Sequence, residues 1–151
     1  MRLHLAGKYW NYREARSLKW SGVELAGLCK ISPKREIIIL KTRNQRNQLD
    51  ATIHEMLHAL SWAHGEDAVQ RIAEATAGIL YAVGLRRGRH GRDRGSQPLI
   101  RELVYHALRA SNFHLDTDDG SVVAARDISK SLIRLGWRWR SEKESSQKDS
   151  G

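Results

Sequence analysis

Residues 35–41 read REIIILK and residues 49–60 read LDATIHEMLHAL, and the change of period between the two decides the fold class. Ile37, Ile38, Ile39 and Leu40 form an unbroken apolar run with Pro33 upstream, which predicts a buried strand. The polar stretch from Thr42 to Gln48 is a loop or the approach to a helix. From about Leu49 the period lengthens. Ile53, Met56, Leu57 and Leu60 stand at i, i+3, i+4 and i+7, one stripe of an amphipathic helix. Gly65 separates this helix from a second, with Val69, Ile72, Ala73, Thr76, Leu80 and Val83 on one face and Gly84 as its end signal. Strand followed by helices places the chain in the α+β class.

Outward from this block the signals are weaker. Leu3, Leu5, Tyr9, Trp10 and Tyr12 supply one short strand over residues 2–13. Residues 14–28 read as a short helix or an irregular layer, interrupted by Gly22 and Gly27. RRGRHGRDRGS, residues 86–96, holds five arginines and three glycines and reads as an exposed linker. Pro98 suits a first helical turn, residues 99–110 and 121–135 are helix-like, and DTDDG (116–120) is a turn. SEKESSQKDSG at the end is polar and expected to be disordered. The organisation expected is a core over residues 1–85, a basic linker over 86–96, a small helical appendage over 97–140 and a disordered tail over 141–151.

Composition limits the function classes. With 151 residues, 40% hydrophobic and 28% charged, the chain falls in the globular range and has enough length to bury a core. A single cysteine, Cys29, excludes a disulfide framework and a Cys-rich zinc module. No apolar run approaches the ~20 residues of a membrane span, and MRLHLAGKYWNYR is broken by charge at once, so a soluble cytoplasmic protein is expected. The net charge of +9 is unevenly spread: +7 over residues 1–50, −3 over 51–85 and +5 over 86–151. Two basic flanks around an acidic centre suggest nucleic acid as a partner, with a solubilising surface as the plainer explanation. The GWRWR segment at 136–140 is either an edge strand or an aromatic–basic surface that stacks bases.

The chemistry lies in His54-Glu55-Met56-Leu57-His58, an HExxH pattern inside the predicted helix. His54 and His58 are one turn apart on one face, away from the apolar stripe, so core packing does not require them. Two imidazoles so placed reach a tetrahedral Zn2+, and the Glu55 carboxylate projects towards the water such a metal activates. Glu55 is then the general base, returning its proton to a leaving amine. The plain alternative is an exposed helix that happens to carry two histidines and a glutamate. A catalytic zinc wants a third protein ligand, and four residues offer one: His64, Glu66, Asp67 and Glu74. Glu66 is favoured. Glu66 and Asp67 open the second helix, where the helix dipole alone also favours acids. Tyr81, His106 and His114 are available to stabilise an oxyanion, each with a structural role as the simpler reading.

The block from REIIIL to TIHEMLHAL resembles the minimal zincin core, a strand pair followed by the HExxH helix, as in SprT-like and WLM-type peptidases. AGLCKIS (26–32) resembles the Gly-x-Cys segment before the equivalent SprT strand, and His64-Gly65 the third-ligand His-Gly of that family. The spacing to His64 also matches the metzincin ligands, although Ser61 stands where those proteins use glycine and no downstream methionine exists. The run from Asp67 resembles ImmA/IrrE-type peptidases, and IHEMLHALSW…EDAV…IAEATAGILYAVGLR is similar to small phage and bacterial zincin-like proteins, whose acidic pair falls on Glu66 and Asp67. The resemblance covers about residues 25–87. It implies a zinc metallopeptidase acting on a protein or peptide substrate. Some SprT-like and WLM-type members cut proteins bound to DNA, and the basic flanks suit that. The competing expectation is a basic nucleic-acid-binding module whose zinc is structural or vestigial.

Overall fold

In the computed structural model, which describes residues 1–88, 96–113 and 120–139, the chain opens with two strands, β1 (Arg2–Leu5) and β2 (Lys8–Ala15). Ala6 and Gly7 join them with positive φ values of 50° and 74°, the two-residue turn whose twist matches paired strands. A hairpin thus replaces the single strand expected over residues 2–13. The next two strands, β3 (Lys19–Trp20) and β4 (Val23–Glu24), repeat the device around Ser21 and Gly22, at φ 51° and 79°. The short helix considered for residues 14–28 is therefore absent. A helix there would carry Gly22 and Gly27 in its interior, whereas Ser-Gly closes a hairpin without strain.

Strands β5 (Gly27–Lys30) and β6 (Glu36–Leu40) complete a four-stranded sheet of order β1-β2-β6-β5. Strands β2 and β6 run parallel, and the outer pairs are antiparallel. The isoleucine run lies in β6, inside the sheet, and Ile37, Ile38 and Ile39 are all buried, which is why it does not alternate. Glu36, buried at the start of β6, is ringed by Lys30 (3.3 Å), Arg13 (3.6 Å) and Lys34 (3.9 Å).

Helix α1 (Gln45–Leu60) packs across β5 and β6. It starts four residues before Leu49 because Asn44 caps it, its side-chain oxygen accepting from the Asn47 N–H at 3.1 Å. Ile53, Met56, Leu57 and Leu60 are buried as the period required. Helix α2 (Glu66–Ala82) packs along α1 and buries Val69, Ile72, Ala73, Thr76 and Leu80. Val83 is exposed instead, because it caps the helix where the chain turns through Gly84 at φ 103°.

The boundary expected after residue 85 falls inside a strand. Strand β7 (Leu85–Arg87) pairs antiparallel with β8 (Trp137–Trp139), so Arg86 and Arg87 are not linker residues. Arg86 lies over the Tyr81 ring at 3.5 Å and donates to the Tyr81 carbonyl at 2.8 Å. Arg87 is bonded to Glu14 and donates to the Leu135 carbonyl. Helices α3 (Ser96–Ala110) and α4 (Gly120–Arg134) do not form a separate appendage. Their Ile100, Val104, Leu108, Ala124, Ile128 and Leu132 belong to the same buried cluster as Leu3, Trp10, Ile37, Met56 and Leu80. Asp127 of α4 fastens this half to the sheet by accepting from the Ala6 N–H at 2.9 Å. Trp137 is buried, so base stacking by that residue is excluded, and Trp139 packs partly buried against the same core. The remainder of the linker (89–95), the turn at 116–119, the tail, His90, His114 and Arg140 lie outside the described residues. Among the described residues no helix is long and apolar enough to cross a membrane.

Candidate metal centre

Helix α1 sets the site's period. Asn47, Asp50, His54 and His58 follow one another at helical spacing along the side of α1 that looks away from its apolar stripe. His54 and His58 turn their Nε2 atoms towards each other, 3.2 Å apart. The turn from Ser61 to Gly65 then reverses the chain, and the first residue of α2 returns to the same point. Glu66 places one carboxylate oxygen 2.7 Å from His54 Nε2 and the other 2.8 Å from His58 Nε2. These three side chains are the group among the described residues able to hold a metal ion, their ligand atoms all lying within 4.8 Å of one another. Four ligands arranged tetrahedrally at 2.0–2.1 Å from a zinc are separated by about 3.4 Å, close to the spacing of this cluster. Two imidazoles and one carboxylate also form a recognised catalytic zinc set that leaves one position open. The histidines are largely enclosed, while the Glu66 side chain is 65% exposed at the rim.

The other third-ligand candidates are placed elsewhere. The His64 ring stacks on Phe113, centroids 4.6 Å apart and planes 22° from parallel. Asp67 is exposed at the start of α2. Glu74 is exposed on α2 and acts on Asp50, helping burial to raise that carboxyl's pKa, while His54 and Arg46 lower it.

Glu55 is buried, although it lies in a motif that sequence alone places on an open helix face. Its carboxyl is pushed up to about 8, first by burial and then by the Glu66 carboxylate, against the lowering effect of a hydrogen bond from the Cys29 backbone. Strand β5 approaches so closely here that a Cβ at Gly27 would stand 2.8 Å from Glu55 Cγ and 3.0 Å from its Oε1. Gly27 is therefore a site residue, absent from the sequence-derived candidates. Its signal in the sequence was the Gly-x-Cys segment, which gave no hint of contact with Glu55. Cys29 itself is buried, its thiol pushed up to about 12 by burial and then by Glu55.

Trp62 is the second residue that spacing did not single out. Its ring stacks on His58 with centroids 5.1 Å apart and planes 20° from parallel. His58 Nδ1 is buried without a hydrogen-bond partner, so the indole holds this ring where an acceptor usually does. Burial lowers the His58 pKa, and His54 lowers it further, against the raising effect of Glu66, which favours the neutral imidazole that ligation needs.

A cavity of about 390 Å³ opens beside the cluster, lined by Gly27, Asn47, Asp50, His54, Glu55 and Gln70 among others. Asn47, Asp50 and Gln70 were also not singled out, although the helical spacing of Asn47, Asp50 and His54 marks one face. Of the described oxyanion candidates, neither Tyr81 nor His106 lines it. Tyr81 carries Arg86 on its ring, and His106 stands 3.9 Å from Glu102. No family model, curated protein or solved structure matches the chain.

Proposed function

We propose that the chain is a zinc-dependent peptidase of minimal zincin architecture, with His54, His58 and Glu66 holding the metal and Glu55 as general base. The convergence of two helix-spaced imidazoles and one carboxylate, with a second, buried carboxylate beside them, carries this reading. When bound, zinc supplies a Lewis acid that polarises a carbonyl and brings the pKa of a water into the neutral range. Glu55, the motif's second residue, lines the same cavity as His54 and Glu66. With zinc held there, the positive charge would offset the rise that burial gives its carboxyl, and Glu55 would take a proton from the attacking water and deliver it to the leaving amine. Burial and the Cys29 backbone hold its carboxylate in one place, which makes the proton transfer directional. Asn47 and Gln70 supply the uncharged amide donors of the cavity wall, available to a bound peptide.

Strand β5 is an edge of the sheet and contributes Gly27 to the cavity wall. An exposed edge offers unpaired N–H and C=O groups to an extended peptide, which suits a protein or peptide substrate laid beside Glu55. The strand pair β5–β6 followed by α1, which carries the motif, supports the zincin reading, and α2 brings Glu66 to it.

The test begins with metal content by elemental mass spectrometry, on protein purified without added metal. Wild type is expected to hold near one zinc per chain, and His54→Ala and Glu66→Ala to lose it, while His64→Ala keeps it. Glu55→Gln is expected to keep the metal but lose cleavage of a proteome-derived peptide library. A well-folded wild type that takes up no zinc even when it is supplied overturns the proposal. So does a Glu55→Gln variant that cleaves as the wild type does.

A further inference from the structure

A second cavity, of about 780 Å³, opens beside the first turn of α1. Its walls come from parts of the chain that are remote in sequence: Glu14 at the end of β2, Lys41 and Arg43 before α1, Gln48 in α1, Arg87 in β7 and Arg134 at the end of α4. Among the described residues Glu14 is the only carboxylate in this wall, and it is already engaged. Arg87 is bonded to it, Gln48 Nε2 donates to it at 3.1 Å, and the Tyr12 hydroxyl donates to it at 3.2 Å. Lys41, Arg43 and Arg134 are exposed and, among the described residues, have no carboxylate partner. Four cations therefore surround one concavity with one negative charge among them. The first turn of α1 contains no acidic residue, so the positive end of its dipole adds to the same field. Concave walls of low dielectric focus such a potential outward. The contrast with the metal centre is sharp. Gln45 and Gln48 face this cavity, while Asn47, Asp50 and His54 face the other from a different side of the same helix, and there the wall is formed by Asp50, Glu55 and Glu66.

We infer that this cavity is a docking site for the phosphodiester backbone of nucleic acid, recognised by charge and not by base sequence. The cations come from three separate parts of the chain and line a cavity of about 780 Å³, a volume that suits several phosphates of a strand better than a single anion. Three of the four are long, exposed side chains, the type that positions a backbone without reading it. Among the described residues no aromatic side chain lines the cavity, so its wall offers charge and not a platform for stacked bases. The inference is independent of the peptidase reading, since it involves neither the metal ligands nor Glu55.

Fluorescence anisotropy of a labelled 20-nucleotide oligothymidine, titrated with full-length protein from low to moderate salt, tests it. Three variants are compared: wild type, the triple Lys41→Ala/Arg43→Ala/Arg134→Ala, and a charge-matched triple Lys8→Ala/Arg71→Ala/Lys130→Ala built from exposed cations elsewhere. Three phosphate contacts to a single strand contribute about 2 to the slope of log affinity against log salt. The cavity triple is expected to lose about that much slope and at least tenfold in affinity at low salt, and the matched triple less than twofold. Thermal melts of all three show that each is folded. Equal losses in the two triples overturn the inference, because net charge alone then explains binding. Absence of binding by the wild type at low salt also overturns it. Calorimetry with inorganic phosphate separates the other source of the same chemistry. Saturable phosphate binding that the cavity triple abolishes, without oligonucleotide binding, would make the site one for a small anion.

Discussion

Gly27→Ala tests the position of Glu55 by adding a single methyl group. The strand passes so close to α1 that the new Cβ would lie 2.8 Å from Glu55 Cγ, 3.0 Å from Glu55 Oε1 and 3.2 Å from Ile39 Cδ1. Real Cβ atoms essentially never approach within 3.0 Å, and ordinary contact starts at 3.4 Å, so Glu55 must give way and retreats about 0.6 Å to reach an ordinary contact. It has little room, being buried and held by the Cys29 backbone. Ile39 is also fully buried and yields poorly. Overpacking of this kind costs about 1–3 kcal/mol, or roughly 2–10 °C in melting temperature for a chain of this length. A 1 Å misplacement of a catalytic group can cost ~100-fold, so a shift of this size should lower cleavage about tenfold or more. The proposed metal ligands are on α1 and α2, not on β5, so zinc stoichiometry should be unchanged. The assay measures kcat/KM on the best peptide recovered from the library, together with a melt and a zinc determination on each sample. If Gly27→Ala cleaves and melts as the wild type does, β5 does not fix Glu55 and the account of the site is wrong. If zinc is lost with activity, the strand supports the metal cluster instead.

Glu55→Gln should stabilise the metal-free protein at pH 8 relative to wild type and leave it little changed near pH 4. Unfolded, this carboxyl ionises near its ordinary value of 4.5. Folded, it holds its proton to about 8, so the native state binds more protons between those values and wild-type stability falls as pH rises through that window. Urea melts in chelator across that range measure the difference between the two proteins, and a pH-independent difference would remove the basis for the burial argument. Trp62→Ala should weaken zinc binding by about tenfold in a chelator competition, since outer-shell support of a ligand commonly contributes that much or more; unchanged affinity would mean the indole does not orient His58. Asp127→Ala leaves the Ala6 N–H without its acceptor and should cost about 1–3 kcal/mol, read as a lower urea midpoint. A midpoint equal to that of wild type would show that α4 is secured to the sheet by apolar contacts alone.

Local signals determined a definite part of this molecule. The unbroken isoleucine run specified an interior strand, because only a strand covered on both faces can omit the polar alternation. The stripes on α1 and α2 specified two amphipathic helices, and the spacing of His54 and His58 specified a shared face, because these properties depend on helical pitch within a few residues. Positive-φ turns at Ala6–Gly7 and Ser21–Gly22 were less legible, since neither is the Asn-Gly or Asp-Gly pair that announces a hairpin most strongly. What spacing left open depends on contacts between distant parts of the chain. His64, Glu66, Asp67 and Glu74 all lay within reach of the motif in sequence, but Phe113, far along the chain, takes the His64 ring, and the path from Ser61 to Gly65 delivers Glu66 to the two histidines. Burial of Glu55 and the need for glycine at position 27 arise where β5 crosses α1, a packing distance that no local period encodes. The arginines at 86 and 87 read as linker because their partners, Glu14 and the β8 strand, lie some seventy residues before and fifty after them, and only tertiary packing brings those partners close.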